Sequence, residues 1–179
     1  MRVEISGVTL ELVKGDITSQ PDIEAIVNSA NRWLKPGGGV SGAIHRAAGE
    51  ELAKECEKLA PIEVGEAVIT KAYKLPNSYV IHVLGPVYGK DKPEDELLSK
   101  CYENALRLAD ERGVRSVAFP SISTGIFGYP VEEASRVALR TVFRVAPGLR
   151  NVRKIRFVLF SEDDLRAYER ALSEILEKC

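Results

Sequence analysis

The chain has little of what marks metal, lipid or general nucleic-acid partners. Only three of its 179 residues are cysteine and two are histidine. Cys56, Cys101 and Cys179 are scattered and odd in number, which fits neither a disulfide framework nor a zinc site and points to a reducing compartment. No cluster of His, Cys and acidic residues stands at ligand spacing, so metal-independent chemistry without a cofactor is expected. Neither charge sign dominates: 25 Lys and Arg face 26 Asp and Glu, for a net charge of −1. General nucleic-acid or membrane binding would favour a basic face. No apolar run approaches the length of a membrane span, and the first residues read as strand, not as a secretory leader. Cytoplasm is the expected location. No Gly-Lys-Ser/Thr follows a glycine-rich stretch, which excludes the Walker phosphate loop.

What is present is an ordinary globular composition, 45% hydrophobic and 28% charged. One domain over residues 1–179 is expected, burying about 70% of its unfolded surface. Strand and helix patterns alternate along the chain. Val8 to Val13 alternates at period two, as a half-exposed strand near a sheet edge does, whereas Ile23 to Val27 is short, β-branched and apolar, as a buried strand is. Ser41 to Leu59 carries helical spacing through Ile44, Ala47, Ala48, Leu52 and Cys56, with Pro61 as its stop. Ala67 to Ala72 and Tyr79 to Leu84 read as strands joined by a Pro-Asn-Ser turn. Glu94 to Arg112 reads as a helix closing on Gly113. Strand, helix and strand follow at Arg115 to Phe119, Val131 to Val145 and Lys154 to Phe160. Ser161 then caps a last helix, paired with Asp164. This alternation implies an α/β fold, a three-layer α/β/α sandwich, with a mixed, mostly parallel central sheet because of the hairpin at 67–84.

Ligands of open α/β sheets gather beyond the carboxyl ends of strands. Three segments fall there: Asn28 to Val40, Pro120 to Phe127, and Phe160 with Ser161. The first combines Asn28-Ser-Ala-Asn31 with the triplet Gly37-Gly38-Gly39 and a helix start; the second is Pro120-Ser-Ile-Ser-Thr-Gly-Ile-Phe-Gly128. Glycine admits close backbone approach. Successive amides and a helix N-terminus bind anions without lysine or arginine. Two such turns facing one crevice suit a diphosphate. Gly37-x-Gly39-x-x-Gly42 also fits the dinucleotide fingerprint as a bare pattern, but nine residues separate it from Val27, and no second strand ends at Glu63. That reading is set aside.

In these motifs the chain resembles a macro domain, the ADP-ribose-binding module. The resemblance runs through Gly15-Asp-Ile-Thr18, Ala25-Ile-Val-Asn-Ser-Ala-Asn31, Gly37-Gly-Gly-Val40, Ile44-His-Arg-Ala-Ala-Gly49, His82-Val-Leu-Gly-Pro86 and Ser121-Ile-Ser-Thr-Gly-Ile-Phe-Gly128. It implies that Asp16, a buried carboxylate, accepts from the adenine amine with the Ile17 amide nearby, the alternative being that Asp16 caps a turn. Phe160 is implied to stack on adenine, or else to be a core residue. Gly38, Gly39, Val40, Ser123, Thr124, Gly125, Ile126 and Phe127 would wrap the diphosphate, Phe127 also packing on the distal ribose. Asn31 would hold distal-ribose hydroxyls, while Asn28 either joins it or ties a loop together.

Hydrolytic members of the type resembled carry an aspartate just after Gly-Gly-Gly-Val, where this chain has Ser41. A serine hydroxyl is no base near neutral pH; Ser41 is expected to be a helix N-cap. Asn31, Ser41 and His45 are the catalytic candidates, His45 projecting one turn beyond Ser41 toward the crevice or else packing structurally. His82, inside a strand, is expected to be structural. The resemblance implies a partner that is ADP-ribose or an ADP-ribosylated protein. It implies hydrolysis of ADP-ribosyl esters, on proteins or in O-acetyl-ADP-ribose. The alternatives are a non-catalytic reader and an ADP-ribose 1″-phosphate phosphatase.

Overall fold

The computed structural model describes residues 1–178. A seven-stranded sheet is built from β1 (Arg2–Ile5), β2 (Val8–Lys14), β3 (Ala25–Ser29), β4 (Ala67–Lys71), β5 (Tyr79–Val83), β6 (Ser116–Phe119) and β7 (Lys154–Leu159), in the order β1-β2-β7-β6-β3-β5-β4. The five inner strands are parallel, and the outer two, β1 and β4, pair antiparallel with β2 and β5. Val8–Lys14 therefore lies one strand in from the edge, which β1 occupies.

The helices are α1 (Gly39–Ala48), α2 (Glu50–Glu57), α3 (Glu94–Glu111), α4 (Val131–Val145) and α5 (Glu162–Glu177). Period two in the strands divides the interior into two layers. Ala25 and Val27 of β3, with Val117, Phe119, Ile155 and Phe157, face α3, α4 and α5, while Ile26, Val80, Ala118 and Val158 face the α1 and α2 side. Both faces of the inner strands are thus covered, which is why β3 reads as an unbroken apolar run up to Asn28. The three-layer α/β/α reading holds.

The helix expected over Ser41 to Leu59 is in fact two. The Lys74 amide captures the Ala48 carbonyl at 3.1 Å, and Gly49 turns to φ 93°, where an L side chain is strained. Glu50 and Glu51 then open α2 at its positive end. At the far end of the chain Ser161 caps α5 as expected, its Oγ accepting from the Asp164 amide at 3.1 Å. Among the described residues no helix is long and apolar enough to cross a membrane. Cys56 and Cys101 are buried free thiols, and Cys179 lies outside the described residues.

Candidate functional site

The carboxyl ends of β2, β7, β6, β3 and β5 share one sheet edge, and a cavity of about 310 Å³ opens there between the segments following β3 and β6. On the β3 side, Gly38 precedes α1 without a side-chain cap, and no acidic residue stands in the first turn. The Gly42 amide makes the first helical bond, to Gly38 O at 3.2 Å. The amides of Gly39, Val40 and Ser41 consequently have no acceptor within the helix. Ser41 is the third residue of α1, so it is not the N-cap; its buried hydroxyl lines the cavity with no hydrogen-bond partner. Gly42 must be glycine, since a Cβ there would lie 2.3 Å from the Gly37 carbonyl oxygen. That contact folds the glycine triplet back onto α1.

Asn31 holds this segment together. Its Oδ1 accepts from the Trp33 and Lys35 amides, both at 3.1 Å, and its Nδ2 donates to Lys35 O at 2.8 Å. Asn31 also lines the cavity, and one Nδ2 hydrogen remains for a ligand.

On the β6 side, the segment 121–128 is fixed from beneath and open above. The Ile122 amide donates to Tyr102 Oη at 3.1 Å, and the Ser121 and Tyr168 hydroxyls are 2.9 Å apart. Ser123 sits at φ 67° with a buried, unpartnered hydroxyl. Gly85, after β5, lets the chains meet: a Cβ on it would lie 2.1 Å from Ser123 Oγ. Among the described residues nothing accepts from the amides of Ser123, Thr124, Gly125, Ile126 and Phe127. Ile126, 99% exposed, stands at the rim, with Phe127 half-buried beside it.

Asp16, Ile17 and Phe160 lie farther along the same edge, at the ends of β2 and β7, joined by a Gly15 amide to Leu159 O bond of 3.0 Å. From β2 to β3 is three strand steps, roughly 14 Å, so a single ligand touching both ends must be elongated. Asp16 is exposed, contrary to the expected burial, in the turn that follows β2. The Thr18 hydroxyl and amide both donate to its Oδ1, at 2.7 and 2.8 Å, and hold the carboxyl below the usual range. The turn-capping role is therefore real, and Oδ2 is left for a further donor. Gln20 ties Asp16 O to Arg156, whose guanidinium grips Asp22 through both nitrogens, at 2.9 and 2.7 Å. Phe160 is 89% exposed, which removes the core alternative.

His45 does not face this cavity. It lies on the buried side of α1 and lines a separate groove on that helix's flank; burial lowers its pKa, and neither ring nitrogen has a partner. The single helical turn from Ser41 was the right spacing, but Ser41 lines the crevice and His45 the flanking groove. His82 is structural, as expected. Asn28 Nδ2 lies 3.1 Å from its Nδ1, and its Nε2 lies 3.0 Å from Thr70 Oγ1. Since the amide nitrogen must donate, Nδ1 accepts and Nε2 carries the proton. Burial, with His45 nearby, depresses the His82 pKa to about 3. Asn28 is thus tied to the sheet, its side chain buried. Sequence reasoning quoted Gly85 within a motif without giving it a role, and passed over the two tyrosine hydroxyls. Gly85-Pro86 was a visible sign of close approach, while Tyr102 and Tyr168 sit in helical apolar stripes and read only as core.

Known proteins share this sequence pattern and fold. The sequence model of the Macro domain family matches residues 27–138. A macro domain-containing protein of Chlorobaculum tepidum is 50% identical over 168 residues, covering 93% of this chain and 97% of its own. The ADP-ribose glycohydrolase MACROD2 of Xenopus laevis is 47% identical over 168 residues, covering 92% of this chain and 40% of that protein. The Oceanobacillus iheyensis macrodomain with ADP has a TM-score of 0.95 at 41% identity, over 100% of this chain and 97% of that one. On sequence and fold together, the chain belongs to the macro domain family.

Proposed function

We propose that the chain binds ADP-ribose along the carboxyl edge of the sheet and hydrolyses ADP-ribosyl esters with a positioned water. The observation that carries the reading is the uncharged cavity: two segments with free amides line it, and none of its lining side chains is charged. Such amides bind a diphosphate at no cost in desolvated cations. Asp16 Oδ2 accepts from the adenine amine, beside the Ile17 amide, with Phe160 stacked on the base. Gly38, Gly39 and Val40 face Ser123 to Phe127 across the diphosphate, and Asn31 gives its spare N–H to the distal ribose. Asn28 supports the site from the sheet. The ADP in the Oceanobacillus structure and the glycohydrolase name of the Xenopus relative support the ligand and the reaction class.

No carboxylate lines the cavity, so catalysis rests on orientation and on amide dipoles. In this reading the Ser41 hydroxyl, unpartnered in the cavity lining, holds the water. The same absence favours a second reading, an ADP-ribose reader without turnover. Purified protein with an ester-linked ADP-ribosyl substrate separates them: release above background supports hydrolysis, and tight binding with background release supports the reader. Ser41→Asp should raise turnover about a hundredfold, the low end of what a placed base supplies. Asp16→Ala should weaken ADP-ribose binding about tenfold in calorimetry, as loss of a hydrogen bond to a charged group does; unchanged affinity in a folded variant would remove the adenine assignment.

A further inference from the structure

On the flank of α1 a second groove, of about 400 Å³, runs from the Pro36-Gly37 corner to the α1–α2 junction. Gly37 lines both hollows, so the groove meets the crevice at its β3 end, away from Asp16 and Phe160. Gly42 and Ala53 keep it open, and His45, 7% exposed and with both ring nitrogens unpartnered, forms part of its lining. Arg46 is exposed at its rim. Its Nη1 lies 3.0 Å from the position a Cβ on Gly42 would take, which places the guanidinium at the Gly37 end. Among the described residues no carboxylate lies within ion-pair distance of Arg46. Glu50 lines the groove at the α1–α2 junction.

We propose that this groove is a subsite for the polypeptide that carries the ADP-ribosyl ester, and that Arg46 selects an acidic residue beside the modified side chain. The proposal rests on the ADP-ribose reading above. With adenine at β2 and β7 and the distal ribose at β3, whatever is esterified to that ribose leaves the crevice past Gly37. A polypeptide continuing in that direction enters the groove, where a guanidinium fork awaits a carboxylate. A small acyl group ends before reaching it. The groove therefore separates protein substrates from small esters, while the crevice treats them alike.

The test is calorimetry with free ADP-ribose and with amide-linked, non-hydrolysable ADP-ribosyl peptides whose flanking residues are either Glu or Gln. The wild type should bind the acidic peptide about tenfold more tightly than the neutral one, the scale of one well-placed interfacial charge. Arg46→Glu should abolish or invert that preference, and Ala53→Trp, which fills the groove, should abolish it. Free ADP-ribose should bind all three proteins equally. Equal affinity for both peptides in the wild type, or a preference that survives both variants, overturns the proposal. So does a variant that also loses free ADP-ribose, because groove and crevice would then be one site. A wild type that does not bind free ADP-ribose overturns the function proposed above, and the subsite with it. Tighter binding of an ADP-ribose dimer than of the acidic peptide, lost in Arg46→Glu, reassigns the groove and overturns the peptide assignment.

Discussion

The two faces of the sheet are built from different materials. Toward α3, α4 and α5 lies a dry aromatic cluster: Phe157 has ring centroids 5.7 Å from Tyr102, 5.4 Å from Phe119 and 5.3 Å from Tyr168. Toward α1 and α2 the interior holds Asn28, Ser41, His45, Thr70 and His82, several of their polar atoms without partners. The contrast extends to how each face supports the crevice. The dry side fixes segment 121–128 through two tyrosine hydroxyls at the top of its core. On the other side, segment 31–42 is shaped largely by the short-range bonds of Asn31 and the Gly42–Gly37 contact, with the Ile62 amide bonded to Arg32 O at 2.9 Å. One wall of the site hangs from the aromatic core, and the other is held mainly by bonds close in sequence, with one tie to Ile62. Stability and binding should therefore separate in different ways on the two faces.

The largest effect belongs to the dry face. Phe157→Ala removes a fully buried ring that touches three others, and should lower unfolding free energy by about 3–5 kcal/mol. Denaturant titration measures this directly. ADP-ribose affinity measured well below the new melting temperature should change little, because segment 121–128 keeps its tyrosine anchors. A loss of stability below 1 kcal/mol would mean that this layer is not the main source of stability.

The polar face should respond to pH. His82 is held neutral in the folded protein, with its pKa depressed to about 3 by burial, whereas in the unfolded chain it titrates near 6.5. Between those values the unfolded state binds more protons, so stability rises with pH across that interval. The contribution is present above pH 6.5 and is lost as pH falls toward 3. Between pH 7 and pH 5 the loss for this one group should be about 2 kcal/mol. His45, lowered by burial, adds in the same direction. His82→Gln should flatten the curve in urea titrations at the two pH values, while Phe157→Ala should shift it without changing its slope. A slope unchanged in His82→Gln would place the pH sensitivity elsewhere.

The difference between the faces also explains what the sequence disclosed. Period-two and helical patterning report which side chains are apolar, so α3, α4 and the capped start of α5 were legible almost to the residue. The glycine and serine motifs of the crevice were legible because close backbone approach demands small residues. The split at Gly49 was not, since it depends on the Lys74 amide reaching Ala48 O from a distant turn. Nor was the direction of His45, because a spacing of four places it on the same helix face as Ser41 but does not say where the crevice ends. The Asp16 turn likewise looked buried by analogy with its role, whereas its exposure follows from a sheet edge that sequence does not reveal. Non-local contacts decided each of these.

The smallest effect lies where the dry face meets the site. Tyr102→Phe keeps the ring and its contacts but leaves the buried Ile122 amide without its acceptor. The stability cost should be about 1–3 kcal/mol, the penalty of a stranded buried donor, and below that of Phe157→Ala. Its diagnostic effect is on binding. Freed from its anchor, segment 121–128 must be ordered by the ligand itself, so ADP-ribose affinity should fall about tenfold, as ordering about one residue would require. Asn31→Ala should weaken binding by loosening the opposite wall, with little change in the dry core. If Tyr102→Phe lowers stability but leaves affinity intact, the loop holds its shape without support from the aromatic layer. The two walls would then be alike, each self-sufficient, and the contrast between the faces would concern stability alone.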